Sequence, residues 1–289
     1  MKKILVIPII ILFFCINIFA NENTDDYRFS KEINYNYDNE YKSFFLDEEI
    51  YRYVKSDLSD IRIVNEKNEF VPYYIFNKYS KKTKQADFNI NLENDDTVIS
   101  INNKDNLNIY DIKVISQDDF KRNYDVYYKN GKYEEFHKVD SGHIYRINLE
   151  NYKEQKNNII LDYFSNYHIK PDSIKIVIHN EDDRPINIDN IEINYYVDKV
   201  VFKKDDSKRY KVLFKREYAK MPSYDIQSYK NYIEKEDQEV CTLSNLIETN
   251  IKNKKENKQI NYKLILNIVV ILTSLILVTI IMKKTRDIK

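Results

Sequence analysis

From residue 27 to residue 214 the chain is written in short runs where Ile, Val, Tyr and Phe alternate with polar residues. Clusters of Asn, Asp and Lys break the runs roughly every 8–12 residues. A period of two buries one side of a strand and wets the other, so the pattern calls for sheets packed face to face. DIRIV (60–64), DFNINL (87–92), IYDIKVI (109–115), YDVYY (124–128), SIKIVI (173–178) and IEINYYV (191–197) are the clearest runs. No apolar stripe of helical period separates them and no repeat of fixed length appears, which argues against an α/β nucleotide-binding fold. The expectation is an all-β sandwich. KNGK at 129–132 reads as a two-residue hairpin turn, because Asn130-Gly131 favours positive φ.

Both ends are apolar, in different ways. Lys2 and Lys3, then an uncharged run from Ile4 to Phe14 and a small residue at Ala20, form a secretory signal pattern over 1–20. Cys15 follows Phe14 rather than a small residue, which argues against a lipid-modified cysteine. Residues 264–282 carry no charge, and at ~1.5 Å per residue they nearly cross a ~30 Å hydrocarbon core. A membrane-spanning helix is therefore expected over 263–282. Lysines flank it on both sides, so charge alone does not orient it. An exporting N-terminus followed by one stop-transfer segment places residues 21–262 outside and 283–289 in the cytoplasm. The expected location is a single-pass position in the cell membrane with an extracytoplasmic N-terminal domain.

Between strands and span, Ile226, Tyr229, Ile233, Val240, Leu243 and Ile247 recur mostly at three- or four-residue steps, which predicts a helical stalk or linker over 223–262. The spacing admits a coiled coil, a helix packed on its own domain or a loose tether. The strands before it divide into an N-terminal β region (21–82) and a sandwich (83–222). With the signal removed, Cys241 is the one remaining cysteine, so no internal disulfide can form.

Composition narrows the function classes. Lys+Arg and Asp+Glu are 46 each, so no net field draws the protein to nucleic acid. Two glycines cannot build a phosphate-cradling loop. There is no G-x-S-x-G, and His137, His143, His168 and His179 lack zinc-site spacing. No catalytic residue, metal ligand or cofactor is assigned. The acidic pairs at Asp95-Asp96, Asp118-Asp119, Asp182-Asp183 and Asp205-Asp206 read first as turn residues, with a structural Ca²⁺ site as the alternative.

Several phrases also resemble a bacterial family of uncharacterised proteins, domain of unknown function 3999. They are DLSDIRIVNEKNEFVPYYI (57–75), with Asp60, Arg62, Val71 and Pro72; IKVISQDDFKRNYDVY (112–127); IKIVIHNEDDRPINIDNIEI (174–193); and PSYDI (222–226). The resemblance implies a signal peptide, a jelly-roll or galactose-binding-like sandwich and a C-terminal anchor, and it brings no activity with it. Where such sandwiches often have Gly followed by Trp, this chain has NGKYEEF with Tyr133 and Phe136, so a tryptophan platform is not expected.

The candidate site follows from the loops of two of these phrases. Asp118, Asp119 and Arg122 fall in one and Asp182, Asp183 and Arg184 in the other. A fork-shaped guanidinium beside carboxylates suits a polar ligand such as a sugar, and the same residues can equally pair among themselves. The functional expectation is a non-enzymatic envelope protein that binds a protein or glycan through these loops, with lipid around its C-terminal helix. A motif-less carbohydrate-active or other hydrolytic enzyme and a structural component of a membrane assembly are the alternatives.

Overall fold

A computed structural model of the chain describes residues 23–131, 135–167 and 169–249, together with Thr273. The expected signal (1–20), the span (263–282, Thr273 apart) and the tail (283–289) lie outside these residues. Among the described residues no helix is long and apolar enough to cross a membrane.

The described chain is mostly β, and its antiparallel sheets stack as a β-sandwich. The first sheet orders β17 (Thr242–Leu243), β1 (Phe29–Asn34), β15 (Tyr210–Phe214), β3 (Arg62–Asn65) and β4 (Phe70–Val71), with β18 (Ile247–Glu248) also on β1. The second orders β12 (Asn158–Ile160), β8 (Asn108–Ile115), β14 (Asn190–Lys203), β2 (Tyr41–Phe45) and β16 (Gln238–Val240), with β5 (Tyr73–Gln85) along the other side of β14. The third orders β11 (Lys153–Lys156), β10 (His137–Asn148), β9 (Phe120–Lys129), β13 (Ser173–His179), β7 (Asp96–Asn102) and β6 (Phe88–Glu93). Three short helices join them: α1 (Glu48–Tyr53), α2 (Asp162–Tyr167) and α3 (Lys230–Ile233).

Each strand read from the alternation is present, and in all but β6 alternate residues point into one core; in β6 only Phe88 packs against it, while Ile90 and Leu92 are exposed. Ile174, Ile176 and Ile178 of β13 are fully buried and share that core with Ile191 of β14 and Phe214 of β15. Removing a side chain of this size from water stabilises by roughly 1.5–3 kcal/mol. Gly142 of β10 faces Tyr124 of β9, and a Cβ there would lie 2.7 Å from the Tyr124 hydroxyl. The glycine thus leaves room for a buried ring to cross the ladder.

The long strands β5 and β14 of the second sheet pair along most of their length and share a register shift. Pairing passes from Val197↔Ser80 to Lys199↔Phe76, so β5 bulges through Asn77, Lys78 and Tyr79 opposite the single residue Asp198. Tyr51 of α1 plugs it: its hydroxyl donates to Asp198 Oδ2 at 2.9 Å and accepts from Asp198 N at 2.7 Å, while Lys78 N donates to Asp198 Oδ1 at 2.7 Å. Lys78 sits at φ 54°, so the kink draws on the left-handed region.

These long strands correct the expected division at 82/83. β5 crosses it without interruption, and β15, which falls within 83–222, pairs with β1 and β3 instead. The described residues from 23 to 249 form one unit.

The expected stalk is corrected as well. Residues 223–249 form a 3₁₀ turn (Asp225–Tyr229), α3 and the strands β16, β17 and β18, folded back onto the domain. Ile226 and Ile233 pack with Tyr74 and Val201. From Gln238 to Thr242 the burial alternates with period two, Glu239 and Cys241 inward and Val240 outward. The inward glutamate is held by a buried cation: Lys42 Nζ lies 2.5 Å from Glu239 Oε2, and Asn36 N and Tyr37 N donate to Glu239 Oε1 at 2.5 and 2.9 Å. Burial opposes ionisation of Glu239, but these donors outweigh it and hold its carboxyl below the usual range. Residues 250–262 lie outside the described part of the chain.

The hairpin is present, but its turn is longer than two residues. Gly131 has φ 81°, as Asn-Gly favours, yet pairing resumes only at His137 opposite Tyr128. Gly131 N donates to Asp172 Oδ2 at 2.6 Å, which ties the turn to the start of β13 rather than closing it on β10.

Candidate functional site

β9 and β13 are neighbours, so the loops before β9 and after β13 emerge at the same end of the third sheet. Five of the six residues expected to bind a ligand, Asp118, Asp119, Arg122, Asp183 and Arg184, line one groove there of about 500 Å³. Asp182 is exposed and does not line it.

The groove is built from the core outward. Phe120, Arg122, Tyr124 and Val126 share the inward-facing parity of β9, and Arg122 takes that place where the core meets the rim. Its side chain is 12% exposed, and its Nη1 lies 2.9 Å from Asp183 Oδ2 and donates to Lys121 O at 2.9 Å. Nη2 donates to Arg184 O at 3.4 Å, while Nε is sealed from solvent without a hydrogen-bond partner. Ile186 is buried in the second loop, and Asn187 N donates to Asp118 Oδ2 at 2.9 Å, joining the loops directly.

Arg146 of β10 completes the rim and was not among the expected residues. Its Nη1 donates to Gln117 O at 2.5 Å and Asp118 O at 3.3 Å and lies 3.2 Å from Asp119 Oδ1, which also accepts from Asn148 N at 2.9 Å. The signal for it was parity: Ile144 is buried, so Arg146, two residues on, falls on the inward row at the strand's end. The second loop is anchored by buried Asn180, whose Nδ2 donates to Asp95 O at 2.7 Å and Thr97 Oγ1 at 2.9 Å. Glu181 then turns at φ 53°.

This arrangement can orient polar groups. Asp183 is 70% exposed although paired, so one carboxylate remains wet beside a guanidinium whose geometry is fixed. No hydroxyl, thiol or imidazole side chain lines the groove, so nothing in it can serve as a Ser, Cys or His nucleophile or base.

A second cluster stands on the outer face of the third sheet. His179 Nδ1 lies 2.9 Å from Asp96 Oδ2 and its Nε2 3.5 Å from Asp125 Oδ2, with Lys138 Nζ 2.7 Å from Asp125 Oδ1. Burial opposes ionisation of Asp125, but Lys138 and His179 outweigh it and hold the carboxyl below its ordinary range. One carboxylate faces each ring nitrogen, so the three groups do not converge on a point. Among the described residues no group of His, Cys, Asp and Glu is placed to hold a metal.

The phrases that carried the family resemblance fall into two kinds of place. Asp60 and Arg62 are buried. Arg62 donates to Ser59 O, Ile61 O and Lys220 O at 3.0, 2.6 and 2.7 Å, tying β3 to the segment after β15. Burial raises the Asp60 carboxyl above its usual range. Val71, Pro72, Tyr224 and Ile226 instead line a larger groove, about 680 Å³, beside Lys203 and Asp205.

Comparisons with family models, curated proteins and solved structures find no match for this chain.

Proposed function

We propose that this chain is a single-pass envelope protein whose exported sandwich, of galactose-binding-like or jelly-roll type, binds a glycan at the rim and carries out no chemistry on it. The observation that carries the reading is the convergence of Asp118, Asp119, Arg122, Asp183 and Arg184 on one groove. Its volume of about 500 Å³ suits one or two polar rings better than a flat protein surface. The Arg122 fork and the wet Asp183 carboxylate match vicinal hydroxyls, which donate to one and accept from the other. Export and anchoring rest on the signal pattern at 1–20 and the uncharged stretch within 263–282. The likeness to the domain of unknown function 3999 family supports the same arrangement of parts.

The test is a glycan array probed with the full-length chain and with Arg122→Gln and Asp183→Asn. Retention of defined glycans by the parent and loss in both variants is expected. Equal retention by all three, or cleavage of a retained glycan, overturns the reading. Protease added to intact spheroplasts should degrade the region up to Thr249; protection until lysis would remove the extracytoplasmic assignment.

A further inference from the structure

The second sheet turns one face to the core and the other outward, and a β-bulge shapes the outward one. β8 pairs with β14 as Asp111↔Asn194 and next as Ile109↔Tyr195, so Tyr110 is an extra residue in β8. In an unbroken ladder Tyr110 and Asp111 would point to opposite faces. The bulge brings Tyr110 to the outward side, where its ring lies 4.5 Å from that of Tyr196, tilted by 34°.

Cations and hydrogen-bonding groups surround this pair. Lys81 Nζ is 4.7 Å from the Tyr110 ring centre and 5.7 Å from that of Tyr196, and Lys78 Nζ is 5.3 Å from Tyr196. Lys81 is exposed and makes no ion pair with any described carboxylate. Along the same face runs a polar row. Thr83 Oγ1 donates to Asn194 Oδ1 at 2.5 Å, and the side-chain amides of Asn194 and Asn158 donate to Asp111 Oδ2 at 2.6 and 2.7 Å. Asp111 is 7% exposed, and its Oδ1 is sealed without a partner. Lys113 pairs with Glu192 across this face at 3.5 Å, beyond the row. β5 pairs with no described strand but β14, so the face continues to an open edge.

We propose that this outward face binds an acidic polysaccharide of the uronic-acid type. Sugar rings present C–H faces that lie against tyrosine, their carboxylates complement Lys81, and their hydroxyls meet the Thr83, Asn194 and Asn158 row. The chain as a whole carries no net charge, so attraction of a polyanion is local to this face. This site stands apart from the rim groove and does not depend on it.

The experiment measures binding of the full-length chain to polygalacturonate, with dextran as a neutral sugar polymer and poly-glutamate as an anion without sugar rings. Polygalacturonate is expected to bind, with the other two at least about tenfold weaker. Tyr110→Ala should weaken binding about tenfold and Lys81→Ser about threefold, while Tyr110→Phe retains most of it. Lys81 is exposed, so Lys81→Ser decides the matter should Tyr110→Ala unfold. Equal binding of poly-glutamate with no effect of Tyr110→Ala would reduce the face to a charge patch and overturn the proposal, as would no binding of polygalacturonate. Loss of polygalacturonate with Arg122→Gln but not with Lys81→Ser moves the glycan to the rim and overturns it too. Failure of the rim reading alone leaves the effects of Tyr110 and Lys81 in place.

Discussion

At the rim, Arg122 meets Asp183 where the carboxylate is 70% exposed; beneath the C-terminal segment, Lys42 meets Glu239 with side chains 0% and 6% exposed. Both are short ion pairs between segments far apart in sequence. Water screens the first and leaves one partner free to exchange for a ligand. The second has left water altogether, so each charge is tolerable only because the other is present. Lys42 also donates to Tyr37 O at 2.6 Å and stands 4.5 Å from the Tyr35 ring centre, which completes its surroundings. One pair therefore locks β16 to β2, and the other positions a groove.

The largest effect should come from breaking the buried pair on one side. Glu239→Ala leaves Lys42 charged and unpaired, along with the Asn36 and Tyr37 amides, and should cost about 3–5 kcal/mol in urea unfolding. Lys42→Met combined with Glu239→Leu should recover most of that loss. A double variant no better than Glu239→Ala would mean that the amide contacts, not the charge, carry the lock. Tyr51→Phe tests a neutral counterpart. It removes the hydroxyl that serves Asp198 N and Oδ2 opposite the β5 bulge, and should cost about 2 kcal/mol, since a buried amide and carboxylate lose a partner together.

The pH dependence separates the two settings again. Glu239 and Asp105 are both depressed in the folded state. Burial opposes ionisation in each, outweighed by Lys42 and the Asn36 and Tyr37 amides for Glu239, and by Arg52 and Lys84 for Asp105. A depressed carboxyl contributes stability in full above its unfolded value, 4.5 for Glu and 3.8 for Asp, and loses it as pH falls through the folded value. The unfolding midpoint should therefore hold steady at neutral pH and fall below about pH 4.5. Glu239→Gln should flatten part of that acid limb. A limb unchanged in the variant would assign the loss to Asp105 and its neighbours.

The same contrast explains what was legible in the sequence. Strands such as β13 and β14 announce themselves because Ile and Val fill the inward parity, and the rim loops were found together because turn residues flank such strands. The C-terminal segment was misread as a stalk because its inward parity beyond Ile233 includes Glu239. A buried glutamate reads as solvent-facing until its lysine, far away in the chain, is known. With Glu239 discounted, Ile226, Ile233, Val240 and Ile247 look helical, yet Val240 is 60% exposed. The division at 82/83 failed for a related reason: half of β5 is polar and exposed, so it resembles a linker while pairing with β14 along its length. Arg146 was missed because an inward arginine at a strand's end has the composition of an outward one. Asp182 was included because adjacent residues in a turn point in different directions, which sequence does not record.

The smallest effect on stability should come from the rim, and it decides what the rim is for. Arg122→Gln keeps a donor near Asp183 and removes a pair that water already screens, so unfolding should shift by under about 1 kcal/mol. Its Nε has no partner to lose, which lowers the cost further. Glycan retention, in contrast, depends on the fork, which glutamine cannot reproduce. A variant as stable as the parent but unable to retain glycan separates binding from folding. A loss of several kcal/mol would instead make Arg122 a second Lys42, a charge that holds two loops closed, and the groove would be a consequence of packing rather than a place for a ligand.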